Sequence, residues 1–293
     1  MEIGINSGSF DYLKTPEELF ARMKELGYTH VDWDLGNIQA DFYQDTRLLE
    51  QYCAAIRQAA SNAGINIHQV HGPWPTDDTT PESRKKVWDY MHKAVYGCHL
   101  LGSSYLVIHP QMPFGWGTEE DADYAEELTI QLMTELMKDC QTYQVTLCLE
   151  NMPMKAHRIS PVKNIAETVA ETHRRLTGTQ SIPLGICLDT GHCNVYGHDL
   201  GEAVRCAAPF LKVLHIHDNG GDRDSHLLPF AGTADWNSFT SALAEINYSG
   251  PLMLETAGFI PGNATASIRR KAEELTAFAA RELADMIKAS RNR

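Results

Sequence analysis

Apolar and polar positions along the chain follow two repeating patterns. Short, nearly continuous apolar runs are typical of strands in a parallel sheet that is buried on both faces. Longer segments with apolar residues at helical spacing are typical of helices that pack on such a sheet. The predicted strands cover residues 2–6, 29–34, 65–71, 105–109, 145–150, 184–189, 213–215 and 252–255. The predicted helices cover residues 16–26, 45–63, 81–101, 119–143, 161–176, 200–210, 236–246 and 264–288.

Local signals mark where several of these helices begin and end. Thr15 stands before Pro16 and two acidic residues, which is the expected order of an N-cap, a first helical position and a first turn. Gly27, Gly64 and Gly102 each follow the last apolar position of a predicted helix. Glycine is the usual residue just past a helix end. The predicted alternation of strands and helices is therefore supported by helix-end signals as well as by the periodicity of apolar residues.

Alternating strands and helices over 293 residues predict an α/β fold, a single (β/α)8 TIM barrel that spans residues 1–293 as one domain. An open, doubly wound sheet is the alternative. Such a sheet usually carries a glycine-rich phosphate loop after its first strand, and Ser7-Gly8-Ser9 matches that loop poorly. The barrel is the preferred interpretation.

Charge and cysteine usage restrict the partners and the compartment. The formal net charge is −13, which argues against a nucleic-acid partner because phosphate binding normally needs a basic surface. Seven cysteines without a Cys-x-x-Cys pair indicate reduced thiols, so we expect a cytoplasmic protein. The N-terminus lacks a signal-peptide pattern, and no apolar run approaches the roughly 18 residues of a membrane span.

Acids and histidines stand at the ends of six predicted strands. The carboxyl ends of the strands in a (β/α)8 barrel meet at one face, where active sites of this fold lie. Several carboxylates in one pocket repel one another unless a cation compensates them. Nitrogen and oxygen ligands without thiolate suit one divalent ion, Mn²⁺, Zn²⁺ or Co²⁺, whereas Mg²⁺ is less favoured beside histidine. The six strand-end residues are His71, His109, Glu150, Asp189, His215 and Glu255.

The segment after residue 213 has the highest density of such side chains. His215 and His217 are two positions apart and so share one face of a strand. His217 and the adjacent Asp218 are expected to orient His215 or to contact a substrate. Asp224 and His226 repeat the spacing and are candidate ligands of an additional metal. The alternative is an ordinary polar surface loop.

With these residues in place, the chain resembles the sugar isomerase/epimerase superfamily of xylose-isomerase-like barrels, which also includes the type-IV AP endonucleases. The resemblance implies a metal held by Glu150, Asp189, His215 and Glu255, with His192 and Arg223 on the substrate. It rests on the motifs Leu149-Glu150-Asn151, Leu188-Asp189-Thr190-Gly191-His192, His215-Ile216-His217-Asp218, Gly232-Thr233-Ala234-Asp235-Trp236 and Leu254-Glu255.

The endonuclease branch matches at more positions. Its three-zinc ligand set maps to His71, His109, Glu150, Asp189, His192, His215, Asp224, His226 and Glu255, and all nine residue types are present. The net charge and the lack of basic loops argue against that branch.

The favoured function is isomerisation or epimerisation of a small, unphosphorylated sugar by proton transfer. One of Glu150 and Glu255 would remove a proton beside a carbonyl, and the other would return it. A metal-dependent lyase or dehydratase of a keto-polyol shares the same first step, and a barrel that only binds sugar is the remaining alternative. A homo-oligomer is compatible with this fold. The substrate-contact residues are expected to be His71, His109, His192, His217, Arg223 and Trp116. Ordinary packing is favoured for the other loop aromatics, Phe10, Trp33, Trp74 and Phe114.

Overall fold

The computed structural model describes residues 1–76, 79–176, 182–260 and 262–292. Within these residues, parallel strands form a single sheet in the order β7-β6-β5-β4-β3-β2-β1-β8. The strands are β1 (Ile3–Asn6), β2 (His30–Asp34), β3 (Asn66–His71), β4 (Tyr105–Ile108), β5 (Thr146–Glu150), β6 (Leu184–Asp189), β7 (Leu211–His215) and β8 (Leu252–Leu254).

The sheet closes on itself just beyond β7. The Ile216 amide donates to the carbonyl of Met253 at 2.9 Å, and the Glu255 amide donates to the carbonyl of Ile216 at 3.0 Å. These bonds join the last two strands in parallel. The predicted (β/α)8 barrel is thereby confirmed, and the open doubly wound sheet is excluded.

Helices follow the strands at nearly all the predicted places. Thr15 caps α1 by accepting from the Glu18 amide at 3.3 Å, and Gly27 ends it with a φ of 86°. The helices are α1 (Pro16–Leu26), α2 (Thr46–Ala63), α3 (Pro81–Leu101), α4 (Ala122–Tyr143), α5 (Val162–Arg175), α6 (Thr190–Tyr196), α7 (Leu200–Ala207), α8 (Trp236–Glu245) and α9 (Ala266–Arg291). Each of the other eight agrees with a predicted helix within a few residues, but α6 was not among the predicted helices.

The short helix α6 forms because Asp189 caps it. The Oδ1 atom of Asp189 accepts from the His192 amide at 2.6 Å, which satisfies one of the free N–H groups of a first helical turn. The last residue of β6 therefore starts a helix directly, and this fixes His192 above the strand end.

The barrel interior changes from apolar to polar along its axis. Val107, Cys148, Cys187 and Val213 fill the middle of the barrel, with Tyr105 packed against them. All seven cysteines are free thiols, as expected, and Cys206 is the one that is not fully buried. Above this apolar layer the next inward-facing residues of the same strands are acids and histidines. None of the described helices is long and apolar enough to cross a membrane.

Candidate metal centre

Four predicted ligands meet at the top of the barrel. Glu150, Asp189, His215 and Glu255, here called the central cluster, each place one ligand atom within 4.8 Å of the others. The Nδ1 atom of His215 lies 3.0 Å from Oε1 of Glu150 and 3.2 Å from Oε2 of Glu255. The register of the sheet explains the convergence, because Asp189 pairs directly with His215 across β6 and β7.

The central cluster contains a buried carboxylate oxygen that no protein donor satisfies. Asp189 is fully buried, and its Oδ2 atom has no hydrogen-bond partner, whereas its Oδ1 caps α6. Leaving a buried acceptor unsatisfied costs about 1–3 kcal/mol, and more when the acceptor is charged. A divalent cation bound by this oxygen would remove that cost, so the donor set fits a metal.

The electrostatics of the cluster also favour a cation. Burial alone would raise the pKa of Glu150, but His215 and His109 lower it well below its ordinary value. Burial alone would lower the pKa of His215, but the carboxylates of Glu255, Glu150 and Asp32 raise it well above its ordinary value. Protons on the imidazoles balance the acids here, and a bound metal would replace those protons.

A second group shares Glu150 with the central cluster. His109 Nε2 lies 3.2 Å from Oε2 of Glu150, and His71 Nε2 lies 4.0 Å from the same oxygen. The other ring nitrogen of His71 bonds the Gly72 carbonyl at 2.9 Å, so its Nδ1 carries the proton and Nε2 is free to bind a ligand. His71, His109 and Glu150 could therefore hold a second ion.

A third group lies beside the central cluster, on α6 and the loop after β7. Asp224 Oδ2 is 3.1 Å from Nε2 of both His192 and His226, and His217 stacks on His226 with ring centroids 4.0 Å apart. Burial alone would lower the pKa of His226, but Asp224 and Glu255 raise it to about 9. His192, His217, Asp224 and His226 have ligand atoms close enough to share an ion.

These groups open into a cavity of about 780 Å³. Its lining includes several candidate ligands and the indole rings of Trp74 and Trp116, which meet edge-to-face with centroids 5.5 Å apart. It also includes the polar side chains of Asn6, Asp34, Asn37 and Gln39. Within the described part of the chain, no lysine or arginine lines the cavity.

A family model described as xylose isomerase-like TIM barrel matches residues 20–280. The chain belongs to this family. A D-psicose 3-epimerase from Ruminiclostridium cellulolyticum is 23% identical over 237 residues, which cover 78% of this chain and 74% of the relative. A probable endonuclease 4 from Mycoplasma pneumoniae is 23% identical over 280 residues, 85% of this chain and 90% of the relative. The solved structure of IOLI protein with a binding zinc atom shares the fold, with a TM-score of 0.73, 17% identity and 99% of each chain covered.

Within this xylose isomerase-like barrel, most predicted site residues border the cavity. Its lining includes Glu150, Glu255, His71, His109, His192, Asp224, His226 and Trp116. Trp74 lines it as well, although the sequence favours ordinary packing for that residue. Arg223 is exposed and is not part of the lining. His217 is fully buried and is not part of the lining either.

Gly191 makes room for His217. A Cβ atom on Gly191 would lie 1.9 Å from Cε1 of the His217 ring, so no larger residue fits without a shift. The Nε2 atom of that ring lies 3.1 Å from Oδ1 of Asp189. Gly191 in the Asp189–His192 motif is therefore explained by packing, since it leaves space for the His217 ring.

Asp218 has a structural role that differs from the one expected. Its carboxylate accepts hydrogen bonds from the amides of Phe230, Gly232 and Ala234 and from the indole of Trp236, at 3.0–3.1 Å. These bonds fix the turn before α8 and leave Asp218 no contact with His215. The expectation that Asp218 orients His215 or contacts substrate is therefore wrong.

Asp32 holds the position that was expected of Asp218, and sequence reasoning missed it. Its Oδ2 atom lies 2.9 Å from Nε2 of His215, and both side chains are fully buried. The available signal was the alternation of His30, Asp32 and Asp34 in β2, which puts three polar residues on one face of a buried strand.

Cys187 also lies near the central cluster, in a group with Glu150 and His215. Burial raises the pKa of its thiol above its ordinary value. Because the thiolate is the form that binds metals, the neutral thiol of Cys187 acts as a small apolar residue beneath the site.

Proposed function

We propose that this chain is a divalent-metal-dependent epimerase or isomerase of a small, unphosphorylated sugar. The observation that carries the proposal is the pair Glu150 and Glu255, two carboxylates that face one cavity and both lie within 3.2 Å of His215 Nδ1. The similarity to a D-psicose 3-epimerase supports the reaction class.

Glu150, Asp189, His215 and Glu255 would hold the metal. When bound, the cation supplies positive charge that stabilises the negative charge developing on a substrate oxygen as the adjacent C–H is deprotonated. The single imidazole among three carboxylates favours Mn²⁺, Zn²⁺ or Co²⁺ over Mg²⁺. The zinc atom in the IOLI structure supports a metal in a barrel of this fold.

Proton transfer would fall to the two glutamates. Their side chains come from β5 and from the end of β8, at different places around the cavity. One carboxylate removes a proton from the carbon beside the carbonyl and the other returns a proton to it. Return by the other carboxylate inverts that carbon, whereas delivery to the neighbouring carbon gives an isomer.

The cavity favours an uncharged sugar. Its described lining has Asp34, Asp224 and two glutamates but no lysine or arginine, so it lacks the residues that usually bind a phosphate group. Trp74 and Trp116 provide an apolar wall for the C–H face of a sugar. His192 and His109, both buried residues of the cavity lining, would contact the oxygens of the sugar.

The test combines metal analysis with a substrate screen. Protein purified without added metal should contain about one Mn, Co or Zn per chain, since one central cluster is proposed. Incubation with D-psicose, D-tagatose, D-fructose and L-ribulose in D₂O should yield an epimer or isomer with deuterium on the reacting carbon, read by NMR. No metal even after reconstitution would contradict the proposal, as would turnover without exchange of the carbon-bound hydrogen.

A multi-zinc phosphodiesterase is the second candidate, and a specific observation favours it. The three groups around Glu150 bring together all nine residues that match the endonuclease ligand set. The similarity to a probable endonuclease 4 points the same way. About three zinc ions per chain together with cleavage of a duplex at an abasic site would establish this activity and displace the sugar proposal. The acidic cavity and the net charge of −13 argue against it.

A further inference from the structure

We propose that Asp32 on β2 is a positioning residue that holds the His215 imidazole so that Nδ1 is the metal-binding nitrogen. The inference rests on the proposed metal-dependent function and adds a residue outside the ligand set. Asp32 is absent from the cavity lining, so it would act on the reaction only through His215.

The two nitrogens of His215 face different partners. Nδ1 points into the central cluster, 3.0 Å from Glu150 and 3.2 Å from Glu255. Nε2 points away from it and lies 2.9 Å from Oδ2 of Asp32. A carboxylate accepts but does not donate, so Asp32 keeps the proton on Nε2 and leaves the lone pair of Nδ1 for a metal.

Asp32 is itself held in place. Asn6 on β1 donates from Nδ2 to the same Oδ2 atom at 3.1 Å, and Asp32 is completely buried. The bond to His215 spans the barrel interior, because β2 and β7 are not neighbours in the sheet. The His71 ring lies parallel to the His215 ring, with centroids 5.6 Å apart and an interplanar angle of 4°.

A carboxylate in this position has no structural explanation of its own. Taking a charge out of water costs several kcal/mol, and a well-packed apolar residue often replaces a buried ion pair at no loss of stability. The Oδ2 atom of Asp32 contacts the amide side chain of Asn6 and the candidate ligand His215, and its Oδ1 atom has no hydrogen-bond partner. Orientation of His215 accounts for the carboxylate where stability does not.

The decisive variant is Asp32→Asn, with metal affinity as the readout. The dissociation constant for Mn²⁺ and Co²⁺ should rise by about 10–100-fold, the usual effect of losing a carboxylate that orients a metal-binding histidine. The absorption spectrum of the Co²⁺ form should also change. Asp139→Asn is the matched control, since it also removes a carboxylate beside a histidine, 2.7 Å from His92 between α3 and α4, but lies outside the cavity lining and should leave metal affinity unchanged.

A double-mutant comparison separates positioning from general damage. If Asp32 acts through His215, adding Asp32→Asn to a His215→Gln protein should not weaken metal binding further. Should Asp32→Asn fail to fold, Asp32→Glu keeps the charge but displaces it by one methylene, and it too should weaken binding.

The outcomes distinguish the two proposals. Failure of the wild-type protein to bind a divalent ion would overturn the proposed function. Normal binding by the wild type with equal affinity and an unchanged Co²⁺ spectrum in the Asp32 variants would overturn only the role of Asp32.

Discussion

Strand β3 carries two histidines, His68 and His71, whose environments have opposite effects. His68 packs against His30 and Tyr105, with ring centroids 5.6 and 5.2 Å away, and burial lowers its pKa to about 4. Burial acts on His71 in the same direction, but Glu150 and Asp34 outweigh it and raise the pKa of His71 above its ordinary value. Nearby carboxylates, rather than depth of burial, separate a packing histidine from a candidate ligand.

The largest predicted effect follows from removing the carboxylate of Glu150, one of the two proposed catalytic glutamates. Glu150→Gln should retain the fold and lower turnover by about 100-fold or more, because general acid–base catalysis contributes about 10²–10⁴-fold. Turnover on the substrate found in the screen is the measurement. Glu274→Gln, at an exposed site on α9, should keep wild-type activity. Near-normal activity in the Glu150 variant would refute the two-glutamate scheme.

The second prediction concerns the packing histidine. The pKa of His68 is lower in the folded than in the unfolded protein, so the unfolded state takes up a proton first as the pH falls. The contribution of neutral His68 to the free energy of unfolding is therefore complete above pH 6.5 and is lost as the pH falls toward 4. In His68→Phe, this part of the acid sensitivity should disappear, a difference of at most about 3 kcal/mol at about 1.4 kcal/mol per pKa unit. Urea midpoints of both proteins at pH 7 and pH 4.5 measure it. Parallel pH curves for the two proteins would disprove the assignment.

The third prediction concerns the packing of Gly191 against His217 beside the candidate metal ligands. Gly191→Ala drives a methyl group into the His217 ring and should destabilise the protein by about 1–3 kcal/mol, as overpacking does. Thermal or urea unfolding measures the change. Gly117→Ala is the control, because no atom lies within 4 Å of its added Cβ. Equal free energies of unfolding for the two variants would contradict the prediction, because they would show that the residues around Gly191 accommodate the added methyl group.

The smallest effect is expected at a histidine that has carboxylate partners but lies near the surface. His92 bridges α3 and α4, 2.7 Å from Asp139 and 3.2 Å from Glu135. Burial lowers its pKa, but the two acids raise it to a net value above the ordinary one. The stabilisation is therefore full below pH 6.5 and is lost as the pH rises through the folded-state pKa.

His92→Gln should cost less than about 1 kcal/mol at pH 5.5, as is usual for solvent-screened pairs, and nearly nothing at pH 9. Unfolding curves at the two pH values give the comparison. A loss that persists unchanged at pH 9 would show that packing, and not charge, accounts for the contribution of His92.

Sequence reasoning located the barrel and the acids and histidines at its strand ends because both depend on local pattern. Apolar runs and helix caps are read from neighbouring residues, and a parallel barrel brings all strand ends to one face. Six strand-end residues, Glu150, Asp189, His215 and Glu255 among them, could therefore be placed at one face, whereas the choice of these four as one ligand set came from the family resemblance.

Contacts between side chains across the interior could not be predicted in this way. The alternation of polar residues in β2 marks Asp32 as a candidate, but it does not show that Asp32 reaches His215 over 183 positions. Asp218 stands next to the histidines and bonds a turn instead. Arg223 was aligned by proximity in sequence, but the loop after β7 directs it to solvent. Loop conformation and cross-barrel distances depend on the assembled fold.

Glu150 belongs to more than one of the candidate groups. A ligand common to two sites makes their occupancies interdependent, so the affinity of one site depends on whether the other is filled, and the coupling is reciprocal. Metal added beyond the one ion proposed for the central cluster should therefore bind in a separate, dependent step rather than at an identical, independent site. The supply of metal in the surroundings would then select among differently loaded forms of one polypeptide.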